Sequence, residues 1–439
     1  MLKTLVGAFK NKDIRKKILY TLMILVIVRV GSLLPIPGVD TEYFSSLLSG
    51  INTGDLSYLS AFTGGSFERM SLFALSITPY ITSSIIMQLL AIAIPKLEEM
   101  QKEGEDGRKK IAAITRYVTI ALALIESIAM AVGFGRSGLI KGYQGFSTLH
   151  YIVSIIVVVA ALTAGSAMLM WLGERITENG VGNGISIVLL INIISGMPSD
   201  FATLYSTFVA PRTIAKGVLA AAIIIAILVV MVVLVCFLQD GERRIPVQYS
   251  QKVSGRKTFG GQSTNIPLKV NTAGVMPVIF ASSLMQFPVI IAQLFGKSYE
   301  WTRYLSSSYW CRISAPKYSI GLILYIVLLI IFAYFYTSIT FNPIEVADNL
   351  KKAGGVIPGI TPGKSTSDYL NNILNYIVFV GAVGLLIIAL IPIMCTGFFN
   401  ASVSFGGTSV IIIVGVVLET LKQIESQIVN RYYKGFLSE

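Results

Sequence analysis

The chain has 439 residues, 54% of them hydrophobic and only 13% charged, with a formal net charge of +12. Its mean hydropathy is +0.72. This composition excludes an ordinary soluble domain and predicts an integral membrane protein. Three isolated cysteines, Cys236, Cys311 and Cys395, argue against a disulfide framework and against a structural metal site. The first apolar run is long and lacks a small-residue cleavage site, so we expect no cleaved signal peptide.

Ten apolar runs are long enough to cross a membrane, which takes about 17–25 residues. They cover residues 18–34, 71–94, 111–134, 149–172, 185–205, 214–238, 271–294, 318–340, 371–394 and 405–421. The fifth run is interrupted by Gly196 and Pro198. Ten spans predict an all-α membrane bundle with both chain termini on one side of the membrane.

A polar, glycine-rich segment, Ala61-Phe-Thr-Gly-Gly-Ser-Phe-Glu-Arg-Met70, stands between the first two spans. It is too polar to face lipid and too short to cross the membrane. Irregular backbone at membrane depth is tolerated only against protein or beside water. We therefore predict that this segment forms a short half-helix folded into a polar cavity, and that the apolar helix after it is broken at Pro79.

Basic residues are concentrated before span 1 and in the segments that follow spans 2, 6, 8 and 10. By the positive-inside rule, these segments and both termini are cytoplasmic. The long loops 239–270 and 341–369 are then cytoplasmic too. One interpretation is that this charge only fixes topology and meets anionic lipid. The other is that the first loop, which is longer than topology requires, binds an acidic protein or ribosomal RNA phosphates.

The ten spans divide into two halves of five, residues 1–210 and 211–439, with the break near Pro211. An odd number of spans per half inverts the second half relative to the first, and such repeats place a pathway at their interface. Pro79 and Pro277 interrupt the second span of each half. Both spans also carry polar residues, whose interhelical hydrogen bonds are individually weak. Spans 2 and 7 are therefore predicted to line a path and to form a seam that opens.

Several motifs follow one another along the whole chain. The longest is Gln262-Ser-Thr-Asn-Ile-Pro-Leu-Lys-Val-Asn-Thr-Ala-Gly-Val-Met-Pro-Val-Ile-Phe-Ala-Ser-Ser283. The others are Pro35-Ile-Pro-Gly38, Phe62-Thr-Gly-Gly65, Gly182-Asn-Gly-Ile-Ser186, Phe341-Asn-Pro-Ile-Glu-Val-Ala-Asp-Asn-Leu-Lys351 and Phe405-Gly-Gly-Thr-Ser409. In order and spacing they resemble the SecY family, the central subunits of the bacterial protein-conducting channel.

The resemblance implies a ten-helix clamshell around an hourglass pore, with a plug helix at about residues 56–70. The implied plug residues are Phe62, Thr63, Gly64, Gly65 and Arg69. The implied pore ring is Ile77, Ile81, Ile185, Leu189, Ile279 and Ile412. The implied lateral gate toward lipid is Thr82, Ile85 and Gln88 in span 2 with Ser283 and Phe287 in span 7. Without the resemblance, each ring isoleucine would be read as ordinary core or lipid-facing packing.

The resemblance also implies partners and a location. The partners are the small membrane subunits SecE and SecG, the SecA motor ATPase, the translating ribosome, signal sequences, nascent polypeptides and membrane lipid. The location is the bacterial cytoplasmic membrane, and no cofactor or metal is expected. The docking residues carried over are Arg243, Arg244, Arg256, Lys257, Lys351, Lys352, Thr361 and Lys364. Thr361 departs from the family pattern, which has arginine at this loop tip, and a hydroxyl cannot replace a guanidinium fork.

Two charged residues fall inside predicted spans. Arg29 is near the outer end of span 1, where its side chain is able to snorkel to the interface. Glu126 is deeper in span 3, and a cavity lining, a neutral hydrogen-bonded acid and a pairing with another subunit all remain open. His150 is expected at the membrane interface.

Two other function classes are considered. An ion-coupled or small-molecule transporter also uses inverted repeats and broken helices, but it needs a compact polar site at mid-membrane, where this chain offers an apolar ring. An intramembrane enzyme is disfavoured because the sequence has no HExxH, no GxSxG and no paired intramembrane aspartates. The chain also has no P-loop, so we expect energy for transport to come from a partner.

Overall fold

The fold was analysed in a computed structural model that describes residues 9–50, 63–135, 148–211, 214–249, 252–254, 257–259, 263–294, 300–312, 316–399 and 407–436. The first-half helices are α1 (Lys12–Leu33), α2 (Thr41–Gly50), α3 (Thr78–Ala93), α4 (Pro95–Lys102), α5 (Glu105–Phe134), α6 (Thr148–Asn179) and α7 (Gly184–Leu204). The second-half helices are α8 (Ile214–Asp240), α9 (Met276–Leu294), α10 (Thr302–Leu305), α11 (Ile320–Thr340), α12 (Pro343–Lys352), α13 (Lys364–Phe399) and α14 (Gly407–Phe436).

Each of the ten predicted spans corresponds to one long helix, namely α1, α3, α5, α6, α7, α8, α9, α11, α13 and α14. Within the described residues, six helices are long and apolar enough to cross a membrane, and a seventh is added if α3 and α4 count as one span. Those two helices meet at a bend of 106°. The interrupted fifth run is a continuous helix, α7, with Pro198 inside it and a π-helical turn, Tyr205–Val209, after it.

The second span of each half begins later than predicted, because its proline starts the helix instead of breaking it. The predicted spans began at residues 71 and 271, whereas α3 begins at Thr78 and α9 at Met276. Pro79 and Pro277 are the second residues of these helices. Proline is favoured in a first helical turn, where its missing N–H would have no partner anyway. Both halves thus have a proline in the first turn of their second spanning helix.

Close packing joins neighbouring helices within each half. In the first half α5 packs against α3 and α6, and in the second half α11 packs against α9 and α13. Between α9 and α11, Phe280 makes edge-on contacts with Phe332 and Tyr336 at 5.9 Å between ring centroids. The halves meet where α7 contacts α14 and where α9 contacts α5. The largest hydrophobic cluster draws buried side chains from both halves.

The long loops contain strands that the sequence analysis did not predict. They are β1 (Glu242–Tyr249), β2 (Lys252–Ser254), β3 (Lys257–Phe259), β4 (Ser263–Lys269) and β5 (Gly355–Val356). Strands β4, β1 and β5 form one antiparallel sheet in that order, in which Ile245 pairs with Ile266 and Gln248 with Val356. Since β5 comes from the second loop, the two loops form a single unit. We call it the loop platform and define it as β1, β4, α12, β5 and the turn after β5 up to Lys364.

The loop platform has its own hydrophobic core. The inward residues Ile245 and Val247 of β1 and Leu268 of β4 are buried against Leu350 of α12 and Leu370 of α13. Alternate residues of β1 point away from this core and are exposed, as expected for a sheet covered on one face. The platform therefore presents a polar surface while its buried face is fixed to the helices below.

Candidate functional site

The six predicted ring residues lie in one hydrophobic cluster. Ile77, Leu189, Ile279 and Ile412 are buried in it, and Ile81 and Ile185 are half-buried against it. They come from both halves of the chain: from the start of α3, from α7, from α9 and from α14. All six side chains are branched and aliphatic, so none of the six carries a hydrogen-bonding group.

The predicted plug is described only from Thr63 onward, and residues 56–62, including Phe62, lie outside the described residues. From Gly64 to Ile77 the chain is a series of turns, whereas the sequence predicted a half-helix up to Met70 and a spanning helix from Ser71 onward. Met70 and Ser76 have positive φ angles of 44° and 52°, which non-glycine residues rarely adopt. Such a backbone cannot continue a helix, and its polar groups need partners outside the segment.

The chain after α1 supplies those partners. Ile36 N donates to Met70 O at 3.1 Å, and Leu72 N donates to Leu34 O at 2.9 Å. Phe67 and Met70 are buried in a second hydrophobic cluster with residues of α5 and α6. Of the other predicted plug residues, Thr63 is buried, Gly64 and Gly65 are half-buried, and Arg69 is exposed. The segment is therefore held on several sides within the first half.

Polar groups of α7 connect this segment to the ring. Asn192 Nδ2 donates to Ser76 Oγ at 3.2 Å, next to ring residue Ile77. Ser195 Oγ lies 2.8 Å from Asn192 O and 3.5 Å from Gly64 O. Ring residue Leu189 stands one turn before Asn192 on the same helix. These contacts form a polar layer between the ring and the predicted plug, which no pattern in the sequence had indicated.

Arg29 joins the same polar layer. Its position near the end of span 1 is compatible with snorkelling to the interface, but the structure places it half-buried, close to Gly64. Its Nη1 atom is buried and has no hydrogen-bond partner among the described residues. Arg29 therefore brings a positive charge to the side of α1 that faces the segment.

The predicted gate residues lie on two helices that are not tightly packed together. Thr82, Ile85 and Gln88 of α3 and Ser283 of α9 are half-buried, and Phe287 of α9 is 38% exposed. Ser83 Oγ donates to Thr115 O at 2.8 Å and fixes α3 to α5. Helix α9 packs against α5, so the seam between the halves includes span 3 as well as spans 2 and 7.

The predicted docking residues are distributed over the loop platform. Arg243 and Arg244 are exposed on β1, and Arg244 Nη2 contacts Glu242 Oε1 at 2.6 Å. Lys351 and Lys352 form the last turn of α12, and Lys364 begins α13. Thr361 Oγ1 hydrogen-bonds Ser365 Oγ at 3.0 Å at the start of α13. Arg256 and the side chain of Lys257 lie outside the described residues.

A polar cavity of about 230 Å³ opens between the N-terminal end of α9, the ends of α7, α8 and α11, and the middle of α14. Asn183, Gln239, Lys269, Asn271 and Glu419 are among its lining residues. The side chain of Asn271 is buried, and its Nδ2 atom has no hydrogen-bond partner among the described residues. Nothing in the sequence pattern had singled out Asn271. The cavity adjoins the loop platform through Lys269, the last residue of β4.

The structure assigns no role to Glu126 or His150. Glu126 is half-buried on α5, near the buried residues Ala123 and Met130. His150 is exposed near the start of α6. In the part of the chain that the structure describes, no group of three or more His, Cys, Asp or Glu side chains is arranged to hold a metal ion.

Comparisons with known proteins agree with this architecture. A family model described as SecY matches residues 71–421. The protein translocase subunit SecY of Streptomyces galbus is 44% identical over 446 residues, which cover 100% of each chain.

Two solved structures share the fold. One, described as "The plug domain of the SecY protein stablizes the closed state of the translocation channel and maintains a membrane seal", has a TM-score of 0.63 at 19% identity and covers 94% of this chain and 92% of its own. The other, "Sec61 in the Canine ribosome-channel complex from the endoplasmic reticulum", has a TM-score of 0.58 at 17% identity, with coverage of 94% and 92%. The full-length identity to the bacterial relative and the family match over most of the chain show that this multi-pass membrane protein belongs to the SecY family.

Proposed function

We propose that the chain is the central subunit of a bacterial protein-conducting channel and that it passes unfolded secretory polypeptides across the cytoplasmic membrane. The observation that carries this proposal is the cluster of six aliphatic ring residues drawn from both halves. A constriction of this kind dewets and blocks ions, yet it has no fixed donors or acceptors to hold a passing chain. It therefore seals around many sequences, which suits a channel for varied polypeptides.

The segment at about residues 56–70 acts in this proposal as the plug. Its Gly64 carbonyl oxygen lies 3.5 Å from Ser195 Oγ of α7, and Asn192 of the same helix donates to Ser76, next to ring residue Ile77. A polypeptide that enters the ring must displace both the plug and the side chain of Ile77. Asn192 and Ser195 reach Ser76 and Gly64 through individual hydrogen bonds, each worth about 1 kcal/mol net. A plug fastened in this way stays closed at rest and is still displaceable.

The lateral gate acts at the seam where α9 meets α3 and α5. A signal sequence is itself an apolar helix, so its free energy falls when it leaves an aqueous pore for lipid. Phe287 is exposed at this seam, and Thr82, Gln88 and Ser283 are half-buried beside it. Weak polar contacts of this kind permit separation of the two halves without a large energetic cost.

The loop platform is the proposed docking surface. Arg243, Arg244, Lys351, Lys352 and Lys364 give it exposed positive charge suited to ribosomal RNA phosphates or to acidic protein surfaces. The fold relative from the canine complex is described as bound to a ribosome. We assign the ribosome and the SecA motor to this surface, with SecE and SecG as membrane partners. Both termini are then cytoplasmic, and the energy for transport comes from the partners.

Import into vesicles tests this function. The full chain, reconstituted with SecE and SecG, is expected to import a preprotein only when SecA and ATP are supplied. Replacing Ile81 and Ile279 together by asparagine hydrates the ring, so preproteins with defective signal sequences should then be imported too. The matched control, Ile81→Val with Ile279→Val, keeps the ring apolar and should remain selective.

Two results would contradict the proposal. Uptake of small solutes without the motor would favour a transporter. Continued rejection of defective signal sequences by the asparagine variant would mean that these residues do not form the selective constriction.

A further inference from the structure

The connection between α9 and α11 carries a cluster of cations stacked on tyrosines. The Arg303 and Arg312 guanidinium carbons lie 5.8 Å and 5.0 Å from the ring centroid of Tyr309. Lys317 Nζ lies 4.9 Å from the ring centroid of Tyr318. We call Arg303, Tyr309, Arg312, Lys317 and Tyr318 the cation–tyrosine cluster.

Hydrogen bonding and ring stacking hold the cluster together and fix its charges in place. Arg303 Nη1 donates to Tyr318 Oη at 3.5 Å, and the rings of Tyr309 and Tyr318 are 5.9 Å apart, edge to face. Cation–π contacts of this kind orient a guanidinium without neutralising it. Between residues 300 and 319 the sequence has three basic residues and one acidic residue, Glu300. Glu300 lies 4.0 Å from Lys317, and both side chains are largely exposed, so the cluster keeps a net positive charge.

Arg312 supplies an independent sign of a missing partner. Its Nε atom is buried and has no hydrogen-bond partner among the described residues. A buried donor left unpaired costs about 1–3 kcal/mol, and more when it is charged. A hydrogen-bond acceptor at Arg312 would remove this cost, and the positive charges of Arg303 and Lys317 favour an anionic acceptor. A phosphate oxygen satisfies both requirements and accepts well from guanidinium groups.

The surface next to the cluster is apolar. Helix α11 begins three residues after Lys317, and it exposes Ile320, Ile323, Leu324 and Val327 by 63%, 62%, 45% and 45%. The spacing of these residues, at i, i+3, i+4 and i+7, makes one continuous stripe along the helix. Trp301, which precedes the cluster in the chain, is also exposed. Tryptophan and tyrosine are enriched where a membrane protein crosses the interface between headgroups and hydrocarbon.

We propose that the cation–tyrosine cluster binds the phosphodiester headgroup of an anionic phospholipid, whose acyl chains lie along the stripe on α11. The headgroup supplies the acceptor for Arg312 and the negative charge for Arg303 and Lys317. The chains cover side chains that the protein leaves exposed. A soluble polyanion matches the charge but leaves the stripe bare, whereas a phospholipid matches both. The binding itself does not depend on the proposed function; only the leaflet, the outer one, follows from the proposed orientation.

Lipid retention tests this site without any transport assay. The full chain is reconstituted in nanodiscs of phosphatidylcholine with a minor fraction of phosphatidylglycerol, extracted gently, and its bound lipids are counted by native mass spectrometry. Phosphatidylglycerol should be enriched on the protein over its share of the bilayer. Replacing Arg303 and Arg312 by glutamine should lower this preference by roughly fivefold per cation, or about thirtyfold for both. The comparison variant, Lys109→Gln with Lys110→Gln, removes two exposed cations that already pair with Asp106 and Glu103 near the start of α5, so it should lower the preference much less.

Competition on the unaltered chain gives a second test that does not depend on the folding of a variant. Inorganic phosphate should fail to displace the bound phosphatidylglycerol, because it cannot replace the contacts of the acyl chains. Three results overturn the proposal: equal retention of the two lipids, an equal loss in the comparison variant, or complete displacement by inorganic phosphate. The last would identify a simple anion site.

Discussion

Gly64 of the predicted plug lies against α7. Its φ angle is +62°, and a Cβ atom there would lie 2.6 Å from Ser195 Oγ and 2.8 Å from Asn192 O. Gly65 has a similar φ of +79°, but a Cβ atom there would have nothing within 4 Å. The two positions therefore separate the cost of the backbone conformation, about 1–2 kcal/mol for an L-residue, from the cost of the contact.

We expect Gly64→Ala to push the segment away from α7 and to raise the resting ion conductance of the channel. Gly65→Ala has the same backbone cost without the steric clash, so it should leave the conductance close to that of the parent. Planar bilayers containing the reconstituted chain provide the measurement. Equal conductance of the two variants would show that the contact between Gly64 and α7 does not keep the channel closed.

Thr361 stands where the family pattern has arginine. Its hydroxyl bonds to Ser365, and its carbonyl accepts from Thr366 Oγ1 at 2.9 Å, so its observed role is to shape the start of α13. Thr361→Arg should lower the SecA concentration needed for half-maximal import, by roughly ten- to a hundredfold if one charged hydrogen bond of about 1.5–3 kcal/mol is gained. Thr361→Lys should do less, because lysine lacks the planar fork. If neither substitution changes this concentration, the nearby lysines already provide the contact.

Among the elements, the loop platform depends on the buried face of β1. Val247 is fully buried, whereas Val356 on the adjacent strand β5 is 37% exposed. Val247→Ala removes packed methyl groups and should destabilise the platform by about 2 kcal/mol, while Val356→Ala should have a much smaller effect. Hydrogen exchange of the β4 and β5 amides in the reconstituted protein measures the difference. Similar exchange in both variants would mean that the strands do not rely on this core.

The sequence predicted elements well where the signal is local. Each span appears as a helix, because a long apolar run is sufficient to specify one in a membrane. The starts of α3 and α9 were misplaced, since Pro79 and Pro277 were taken as interruptions of longer helices. The strands were not predicted, because β5 has only two residues and pairs with β1, more than a hundred residues earlier in the chain. Such pairing is decided by tertiary contacts, not by local propensity.

The candidate site was less accessible from the sequence than the spans were. Hydrophobicity alone identifies Ile77 or Ile412 only as core residues, and it was the family resemblance that singled them out as a ring. For Arg29 and Asn192 the difficulty is different, because their contacts depend on tertiary packing that the sequence does not reveal. Arg29 was noticed, but its position beside Gly64 depends on how α1, α7 and the plug segment pack together. Asn192 gave no sign of its bond to Ser76, which joins residues 116 positions apart.

At the scale of the whole molecule, the proposed gate requires that the two halves separate. A variant without its native cysteines and with Thr82→Cys and Phe287→Cys can be bridged by a reducible bifunctional thiol reagent. Import should stop after bridging and resume after reduction, because α9 can no longer move away from α3. Preprotein import into vesicles, before and after treatment, provides the measurement.

A bridge inside one half is the matched control. Ser127 Oγ of α5 and Thr163 Oγ1 of α6 are 2.9 Å apart, so cysteines at these positions are close enough to form a disulfide. This disulfide should leave import intact, since α5 and α6 belong to the same half. If import continued with the gate pair bridged, the seam would be static and the path would have to lie elsewhere.

The hairpin of β1 and β4 is attached at both of its ends to membrane helices. Strand β1 begins two residues after α8 ends, and Val270 N, just beyond β4, donates to Gly241 O at 2.8 Å. Helix α9 begins six residues later, and β5 connects the same sheet to α12 and α13. The sheet is therefore mechanically coupled to the N-terminal end of α9. A force that a docked partner applies to the sheet becomes a torque on that helix, so the direction of the force matters as much as the affinity of the partner.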